Sequence, residues 1–406
     1  MTAKKSVRDI DVAGKAVLVR VDYNVPFHPG TTTISDDGRI RASLPTLEYL
    51  LERDCKLIIC SHLGRPRGQV VEDMRLAPVS SRLSELLGKP VIQAPDCIGA
   101  LVESAVASLP ARGVLMLENL RFHSCEEKND SDFAEALASL ADVYVNDAFG
   151  TAHRAHASTE GVTRYLPSVA GFLMAKELEI LGTALDSPRR PLAAIMGGAK
   201  VSDKIAVLER LVDRADIIII GGGMAATFLK AQGHEIGDSL IEEERIGFAS
   251  GLIARCESGS PQLLLPTDVV VADGFSQDAN TRTVPVAEIP VGWRVLDIGP
   301  DTAEAFSEAL RPCGTVIWNG PMGVFEWSAF AQGTVKIANV LAAMDDATTV
   351  MGGGSTAEAV ESLGLSARMT HVSTGGGASL EFMEGRDLPG VAALLDAQST
   401  DSVEAS

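Results

Sequence analysis

Short apolar runs alternate with stretches of helical periodicity along the first half of the chain. The apolar runs are AVLVRVD at 16–22, KLIICS at 56–61, GVLMLEN at 113–119 and DVYVND at 142–147. The helical stretches lie near 43–53, 76–88, 98–109 and 131–141. Strands that alternate with helices predict a mostly parallel sheet, and near-continuous apolar strands predict that both of its faces are covered.

A second series of strands and helices follows, and its strands lead into glycine turns. Its apolar runs are LAAIM at 192–196, ADIIII at 215–220, TTVM at 348–351 and THVS at 370–373. Between the two series, residues 170–187 have apolar positions at helical spacing and end at the prolines of PRRP, which stop a helix. We therefore predict an α/β fold with two halves and a connecting helix.

The bulk composition narrows the class of protein. A chain of 406 residues is too long for one ordinary core, and its 46% hydrophobic and 22% charged residues are typical of a soluble globular protein. No apolar stretch reaches the roughly 18 residues that span a bilayer. The N-terminus MTAKKSVRDI lacks the hydrophobic core of a signal peptide, so we expect a cytoplasmic protein.

Cysteine content and charge exclude further classes. The six cysteines contain no C-x-x-C pair, so we expect them to be reduced, and they indicate neither zinc nor a disulfide framework. A net charge of −19 argues against nucleic acid as the main partner. An anionic ligand must therefore meet a local cluster of positive charge.

Polar side chains follow the predicted strands of the first half. They are Asp22, Asn24, His62, Arg65, Arg121 and Arg154, and Arg39 opens the first helix. In a parallel sheet these positions converge on one edge, and arginine forks suit carboxylate and phosphate groups. The alternative is a set of scattered surface arginines, but agreement among several strand ends favours a basic pocket for a small anion.

The glycine turns of the second half predict phosphate binding. A glycine turn lets a ligand approach the backbone, and the helix that follows points N–H groups at an anion. In GGAKVSDK, Lys200 and Lys204 are one helical turn apart at a predicted helix start, where both ammonium groups could reach one phosphate chain. Solvated lysines on an ordinary helix start are the alternative.

Two other site classes have weaker signals. GGGMAA at 221–226 and GGGSTA at 352–357 fit the loose G-x-G-x-x-A pattern of nicotinamide-dependent dehydrogenases, and HRAH at 153–156 carries two histidines without an evident third metal ligand. There is no G-x-x-x-x-G-K-[ST] loop and no protein-kinase signature.

An ordered set of motifs along nearly the whole chain strongly resembles phosphoglycerate kinases. The motifs are VRVDYNVPF (19–27), SHLGRPRG (61–68), LENLRFH (117–123), NDAFGTAHRAHAS (146–158), GGAKVSDK (197–204), IIGGGMAATFLKAQG (219–233), TVIWNGPMGVFE (315–326) and STGGGASLEF (373–382). The resemblance implies a monomeric hinge-bending enzyme of glycolysis, which transfers a phosphoryl group between 1,3-bisphosphoglycerate and Mg-ADP to give 3-phosphoglycerate and Mg-ATP. It is a phosphotransferase with a carboxyl group as acceptor.

The resemblance also implies the domain organisation. Two Rossmann-like three-layer α/β/α domains with mostly parallel sheets are joined by a hinge helix. Residues 1–169 would form the phosphoglycerate-binding domain, 170–187 the interdomain helix and 188–387 the nucleotide-binding domain. Residues 388–406 are expected to pack back near the first domain, with an acidic, frayed end.

The matching motifs also imply roles for individual site residues. The resemblance assigns phosphoglycerate binding to Asp22, Asn24, Arg39, His62, Arg65, Arg121 and Arg154. It assigns nucleotide binding to Lys204, Gly222, Gly223, Glu326, Gly352, Gly353, Gly354, Ser355 and Thr356. Arg39, Lys200 and Gly376 are the expected catalytic residues, with Gly375, Gly376 and Gly377 supplying backbone N–H donors. No general base is required, because the acceptor carboxylate, with a pKa of about 4, is already ionised at neutral pH.

One position departs from the family pattern. The family has a magnesium-binding Asp after the second glycine triplet, whereas this chain has Ser355 followed by Thr356. A hydroxyl can bind Mg²⁺ but brings no charge. We expect nucleotide phosphates to supply most of the ligands of the metal, with Ser355 and Asp203 nearby. The departure also leaves open a second class, a nucleotide-binding regulator or scaffold without catalysis.

Overall fold

A computed structural model describes residues 3–257 and 259–397, which fold as two units. One unit takes the chain up to Glu179 and again from Asp387, and the other is Ile180–Arg386. The division falls inside the helical stretch that the sequence predicts at 170–187.

The first unit alternates strands and helices as the hydrophobic pattern predicts. Its elements are β1 (Ala16–Arg20), α1 (Gly38–Leu51), β2 (Lys56–Cys60), α2 (Ala77–Leu87), β3 (Val91–Gln93), α3 (Ala100–Ala107), β4 (Val114–Met116), α4 (Ser124–Glu127), α5 (Ser131–Ala138), β5 (Val143–Asn146), β6 (Ser168–Ala170) and α6 (Phe172–Asp186), which continues into the second unit. The six strands form one parallel sheet in the order β3-β4-β2-β1-β5-β6.

Local sequence signals determine where helices of this unit begin and end. A proline near the start of α2 pre-sets the helical φ angle, and Gly88 ends the helix in the left-handed region at φ 62°. The Asp130 side chain caps α5 by accepting a hydrogen bond of 3.0 Å from the Phe133 N–H. β1 and β2 are buried at every position after the first, as expected for strands covered on both faces.

The second unit repeats the architecture. Its elements are β7 (Leu192–Met196), α7 (Ile205–Leu211), β8 (Ile217–Ile220), α8 (Ala225–Ala231), α9 (Ile246–Glu257), β9 (Gln262–Leu264), β10 (Asp268–Ala272), β11 (Thr281–Pro285), β12 (Arg294–Ile298), α10 (Pro300–Leu310), β13 (Thr315–Asn319), α11 (Gln332–Ala342), β14 (Thr348–Gly352), α12 (Gly354–Ser362), β15 (His371–Val372) and α13 (Gly377–Glu384). Six strands form a parallel sheet in the order β15-β14-β13-β7-β8-β9. The two α/β units with parallel sheets confirm the predicted fold class.

A small antiparallel sheet is an addition that the sequence pattern did not predict. β10 pairs with β11 on one side and with β12 on the other, and the pairing with β12 shifts register between Val270 and Val271. β11 has little burial, so its sequence TRTVP lacks the apolar run by which the other strands were recognised.

Three helices are capped by a buried aspartate from a distant part of the chain. Asp147 accepts hydrogen bonds of 2.9 and 3.2 Å from the first N–H groups of α6. Asp268 accepts one of 2.7 Å in the first turn of α10, and Asp297 accepts one of 2.9 Å from Gly333 in α11. Burial raises the pKa of Asp147 to about 6 and that of Asp297 to about 7, although the backbone N–H groups oppose this rise.

The last described segment packs on the first unit. After α14 (Pro389–Ala392), the chain runs beside the N-terminal residues, where the Lys5 N–H donates to the Leu395 carbonyl at 2.8 Å. Lys4 and Asp396 form an ion pair at 2.7 Å. The predicted frayed end lies outside the described residues. None of the described helices combines the length and apolarity that crossing a membrane requires.

Candidate functional site

The carboxyl edge of the first sheet carries the polar residues singled out in the sequence. β1, β2, β4 and β5 end at this edge, and the loops after them hold Asp22 and Asn24, His62 and Arg65, Arg121, and Arg154. Arg39 lies in the first turn of α1.

Asp22 lies at the centre of the cluster. Arg39 donates to its Oδ2 atom in an ion pair, and the Nδ1 atom of His62 is 3.7 Å from its Oδ1 atom. The Asn24 N–H donates to the same Oδ1 atom at 3.3 Å. Burial raises the pKa of Asp22, but the adjacent His62 imidazole, the positive charges of Arg39 and Arg20 and the Asn24 N–H outweigh it, so the pKa lies below its ordinary value. Asp22 therefore stays ionised and orients the Arg39 guanidinium.

A fully buried arginine supports this cluster from below, and sequence reasoning missed it. The Nη2 atom of Arg20 lies 3.3 Å from His62 Nδ1, and its Nε atom donates to the Ser158 hydroxyl at 2.8 Å. Burial lowers the pKa of His62 well below its ordinary value, and the charges of Arg20, Arg121 and Arg154 act in the same direction while Asp22 opposes them. His62 is therefore neutral. The available signal was a charged residue between the apolar residues of the run AVLVRV at 16–21.

The buried partner of Arg20 is Glu126, which it meets through Ser158. The Ser158 hydroxyl donates to Glu126 Oε1 at 2.6 Å and the Ser158 N–H donates to Oε2 at 2.9 Å. Burial raises the pKa of Glu126, and Arg20 opposes the rise. This network fixes the position of Arg20 beneath the cluster.

Gly64 links two further members of the set. Its N–H donates to Asn24 Oδ1 at 2.8 Å, and its carbonyl accepts from Arg121 Nη1 at 2.8 Å. Burial and the charge of Arg154 lower the pKa of Arg121 to about 10, and Glu127 lies 3.2 Å from its Nε atom. Arg154 thus acts at the same edge.

Arg65 is an exposed member of the set, as is Asn24. Within residues 3–257 and 259–397 it makes neither a hydrogen bond nor an ion pair, so its guanidinium is available to a ligand. The histidines of HRAH do not form a three-ligand metal group in the described part of the chain. Burial and neighbouring arginines lower the pKa of His156 to about 4, so it is neutral.

In the second unit, glycine loops follow the carboxyl ends of β7, β8, β14 and β15. Gly222 has a φ of +65°, and a Cβ atom there would lie 2.6 Å from Gly198 N and 2.8 Å from Pro321 O. The Gly198 N–H donates to the Pro321 carbonyl at 3.0 Å, and the Gly222 N–H donates to the Met322 carbonyl at 3.0 Å. Glycine is therefore required because three loops meet backbone to backbone.

The structure corrects the predicted placement of the two lysines. α7 begins at Ile205, so Lys204 is its N-cap, and the exposed Lys200 lies in the preceding loop rather than on the helix. The Lys204 ammonium donates to Asn319 Oδ1 at the end of β13. Burial lowers the pKa of Lys204 to about 8, although Asp203 and Glu384 oppose this. The buried Asn319 Nδ2 atom has no hydrogen-bond partner among the described residues.

The loop after β14 leads into α12, whose first residue is Gly354. Gly353 is the N-cap with a φ of +86°, and Ser355 is exposed in the first turn. The Thr356 hydroxyl is buried and accepts a 2.7 Å hydrogen bond from the Gly320 N–H. The Thr356 side chain thus joins two loops, while the first N–H groups of α12 have no acceptors within the helix and can donate to an anion.

The remaining predicted residues lie on nearby loops. Gly376 is the N-cap of α13 with a φ of +52°, and nothing lies within 4 Å of a Cβ atom built there, so space for a ligand remains. Glu326 is exposed in the turn that follows β13.

The sequence predicts Ser355 and Asp203 as residues beside the magnesium ion. The Ser355 hydroxyl and the Asp203 carboxylate are both exposed, and oxygen donors of this kind suit Mg²⁺. The residues present therefore fit a metal that arrives bound to nucleotide phosphates.

Known proteins resemble the chain over nearly its full length. A model of the phosphoglycerate kinase family matches residues 7–386. Phosphoglycerate kinase of Pelotomaculum thermopropionicum is 58% identical over 394 residues, which are 97% of this chain and 100% of that protein. Phosphoglycerate kinase 2, chloroplastic, of Arabidopsis thaliana is 57% identical over 401 residues, 97% of this chain and 84% of that protein.

Solved structures agree with these matches. Phosphoglycerate kinase from Coxiella burnetii has a TM-score of 0.86 at 39% identity, covering 96% of this chain and 98% of that one. Phosphoglycerate kinase from Pyrococcus horikoshii OT3 has a TM-score of 0.81 at 33% identity, covering 97% and 98%. Together with the motifs at both sheet edges, these matches show that the chain belongs to the phosphoglycerate kinase family.

Proposed function

We propose that this chain catalyses phosphoryl transfer between 1,3-bisphosphoglycerate and ADP with the acyl phosphate on the first unit and the nucleotide on the second. The reaction is that of its family, a glycolytic kinase reaction with a carboxyl group as acceptor. The observation that carries the assignment of sites is the cationic cluster around Asp22 on a protein with a net charge of −19. A small polyanion is the ligand that such a cluster favours.

On the first unit, we assign different groups of the substrate to the arginines and to the other polar residues. Arg65, Arg121 and Arg154 would bind the phosphate of phosphoglycerate, since guanidinium forks match phosphate oxygens. The Asp22 carboxylate would accept a hydrogen bond from the hydroxyl group of phosphoglycerate, and Asn24 and the neutral His62 would form hydrogen bonds with its hydroxyl and carboxylate groups. Arg39 would neutralise charge on the migrating phosphoryl group.

On the second unit, Lys204 and the backbone of Gly222 and Gly223 would bind nucleotide phosphates. The N-terminal turn of α12, from Gly352 to Thr356, would add N–H donors and the positive end of the helix dipole. The Glu326 carboxylate would accept hydrogen bonds from nucleotide hydroxyl groups. Lys200 and the N–H groups at Gly376 would contact the migrating group.

Mg²⁺ is a part of the nucleotide substrate in this proposal. It supplies positive charge beside the phosphates, with Ser355 and Asp203 as the oxygen donors of this chain. Because Ser355 is uncharged, the phosphates themselves would contribute most of the binding.

The chemical step needs no general base. The acceptor carboxylate has a pKa of about 4 and is ionised at neutral pH. Alignment of donor and acceptor, exclusion of water and cationic stabilisation of a loose transition state remain for the protein to supply. Transfer between ligands held by different units requires the units to come together, so the proposal includes closure when both substrates are bound. We further propose a cytoplasmic monomer.

A substitution of Arg65 tests the assignment of phosphoglycerate-binding residues with little disturbance of the fold, because Arg65 is exposed and without partners among the described residues. Arg65→Gln should weaken 3-phosphoglycerate binding, measured by calorimetry without nucleotide, by about tenfold or more, as expected for a lost charge-assisted hydrogen bond. The matched control is Arg67→Gln, an exposed arginine in the same loop, which should leave affinity unchanged. Equal effects of the two changes would contradict the assignment.

A coupled assay with 3-phosphoglycerate and ATP tests the reaction. Turnover is expected. Nucleotide binding without turnover would instead support the regulator or scaffold class, and saturable NAD binding would support the dehydrogenase class.

A further inference from the structure

A second cluster of ligand-type side chains lies at the same sheet edge, outside the residues assigned to substrates. Asp96 and Cys97 lie in the loop after β3, and His123 lies between β4 and α4. One ligand atom from each residue lies within 4.8 Å of the other two, and this is the one three-residue group of its kind in the described part of the chain. We propose that Asp96, Cys97 and His123 form a binding site for a borderline-soft divalent cation such as Zn²⁺.

The chemistry of the three donors selects the metal. Thiolate, imidazole and carboxylate together are the ligands of zinc sites, whereas Mg²⁺ takes oxygen donors. With metal–ligand distances of about 2.0–2.3 Å, donor atoms of a tetrahedral site lie roughly 3.3–3.6 Å apart. His123 Nε2 and Asp96 Oδ1 are hydrogen-bonded at 2.6 Å, so metal binding breaks this hydrogen bond, leaves the proton of the neutral imidazole on Nδ1 and moves the two ligand atoms apart slightly.

The side chains differ in their freedom to make that movement. Cys97 is fully buried, and its Sγ atom donates to the Glu118 carbonyl at 3.0 Å. The Asp96 side chain is 52% exposed and that of His123 is 28% exposed. The sulfur is therefore a fixed anchor, while the other two ligands adjust and leave a fourth position to water.

The surroundings of Cys97 are negative. The carboxyl groups of Asp96, Glu118 and Glu126 lie near its sulfur. Without metal the thiol keeps its proton, which it donates to the Glu118 carbonyl. The same negative charges attract a cation, and Zn²⁺ with one thiolate and one carboxylate is electrically neutral. Binding forms a sulfur–metal bond and releases the thiol proton to solvent.

Calorimetry with Zn²⁺ on the tag-free protein, without nucleotide, tests the proposal. We expect saturable binding of one equivalent, with about one proton released when buffers of different ionisation enthalpy are compared. Co²⁺ as a probe should give thiolate-to-metal charge-transfer absorption. Absence of saturable Zn²⁺ binding, or binding without proton release, would overturn the proposal.

Variants locate the site. Asp96→Asn and His123→Asn change partly exposed side chains, and each should weaken Zn²⁺ binding at least tenfold. Cys97→Ser should abolish the Co²⁺ absorption. Cys125→Ser is the matched control, because Cys125 is a nearby, partly exposed cysteine outside the group, and it should bind like the parent. If Cys97→Ser fails to fold, the Zn²⁺ affinities of Asp96→Asn and His123→Asn still test the site. Unchanged affinity in both would refute the site.

Discussion

The guanidinium of Arg39 is paired with the carboxylate of Asp22, which joins the first turn of α1 to the loop after β1. The Arg39 side chain remains 37% exposed, so one face of the guanidinium is open to a ligand. An arginine held in this way is oriented before the substrate arrives. Such a preorganised positive charge stabilises the negative charge that develops in a transition state.

Arg39→Ala should lower kcat about 100-fold or more while changing 3-phosphoglycerate affinity much less, because we expect its interaction to be strongest in the transition state. Steady-state kinetics and calorimetry measure the two quantities. Arg41→Ala is the control, since Arg41 lies in the same helix and is paired with Asp37. Equal losses in kcat and affinity would make Arg39 a simple binding residue.

Nucleotide affinity should depend on pH through Lys204. Its pKa of about 8 means that the ammonium loses its proton as pH rises through 8, and ADP binding should weaken toward pH 9.5. Calorimetry from pH 7.5 to 9.5 at constant free Mg²⁺ measures this. Lys204→Met should bind weakly at every pH, and Lys230→Met, which changes an ion-paired lysine of α8, should keep the parent profile. A flat profile for the parent would remove Lys204 from the phosphate site.

Ser355→Asp should tighten binding of Mg-ADP and weaken binding of ADP without metal, because a carboxylate attracts the cation and repels free phosphates. Titrations with and without Mg²⁺ separate the two effects. Ser362→Asp, at the other end of α12, is the control and should change neither. Unchanged or weaker Mg-ADP binding would contradict the proposed role of position 355.

Gly222→Ala should lower the free energy of unfolding by about 2–4 kcal/mol, from left-handed backbone strain and from the clash of its Cβ atom with Gly198 and Pro321. Gly233→Ala is the control. Gly233 also has positive φ, +92°, but its Cβ atom would meet nothing within 4 Å, so only strain applies. Denaturant unfolding measures both, and equal losses would show that the clash relaxes.

Because of Asp297, the free energy of unfolding should fall as pH rises from about 4 to about 7. Its pKa of about 7 in the folded chain exceeds the ordinary value of 3.8, so the folded state holds a proton that the unfolded state loses. Denaturant unfolding at pH 5, 6, 7 and 8 should show a smaller fall in the free energy of unfolding for Asp297→Asn than for the parent. The exposed Asp278→Asn is the control, and identical pH profiles for parent and Asp297→Asn would contradict the expectation.

The sequence predicted those parts of the molecule in which local pattern and position in the sheet agree. β1, β2, β4 and β5 were recognisable because apolar runs mark strands buried on both faces, and their order placed Asp22, His62 and Arg121 at one edge. The family motifs then supplied roles that spacing alone could not.

Features that depend on distant contacts were not predictable. Ser158 and Glu126 help to stabilise Arg20 in the core, and no local pattern pairs these three residues. α7 starts at Ile205 rather than near Lys200, since the loop before it packs against the turn after β13. The exposed strand β11 gave no apolar signal.

The backbone-to-backbone meeting of the loops at Gly198, Gly222 and Gly320 restricts how this enzyme could be re-engineered. Libraries that randomise Gly222 or Gly320 would consist mostly of destabilised variants, because a Cβ atom at either position would clash with neighbouring backbone atoms. Selection for an altered phosphate donor would have to work through the few side chains that border the loops, such as Lys204, Glu326 and Ser355. The route to new donor specificity therefore passes through few positions.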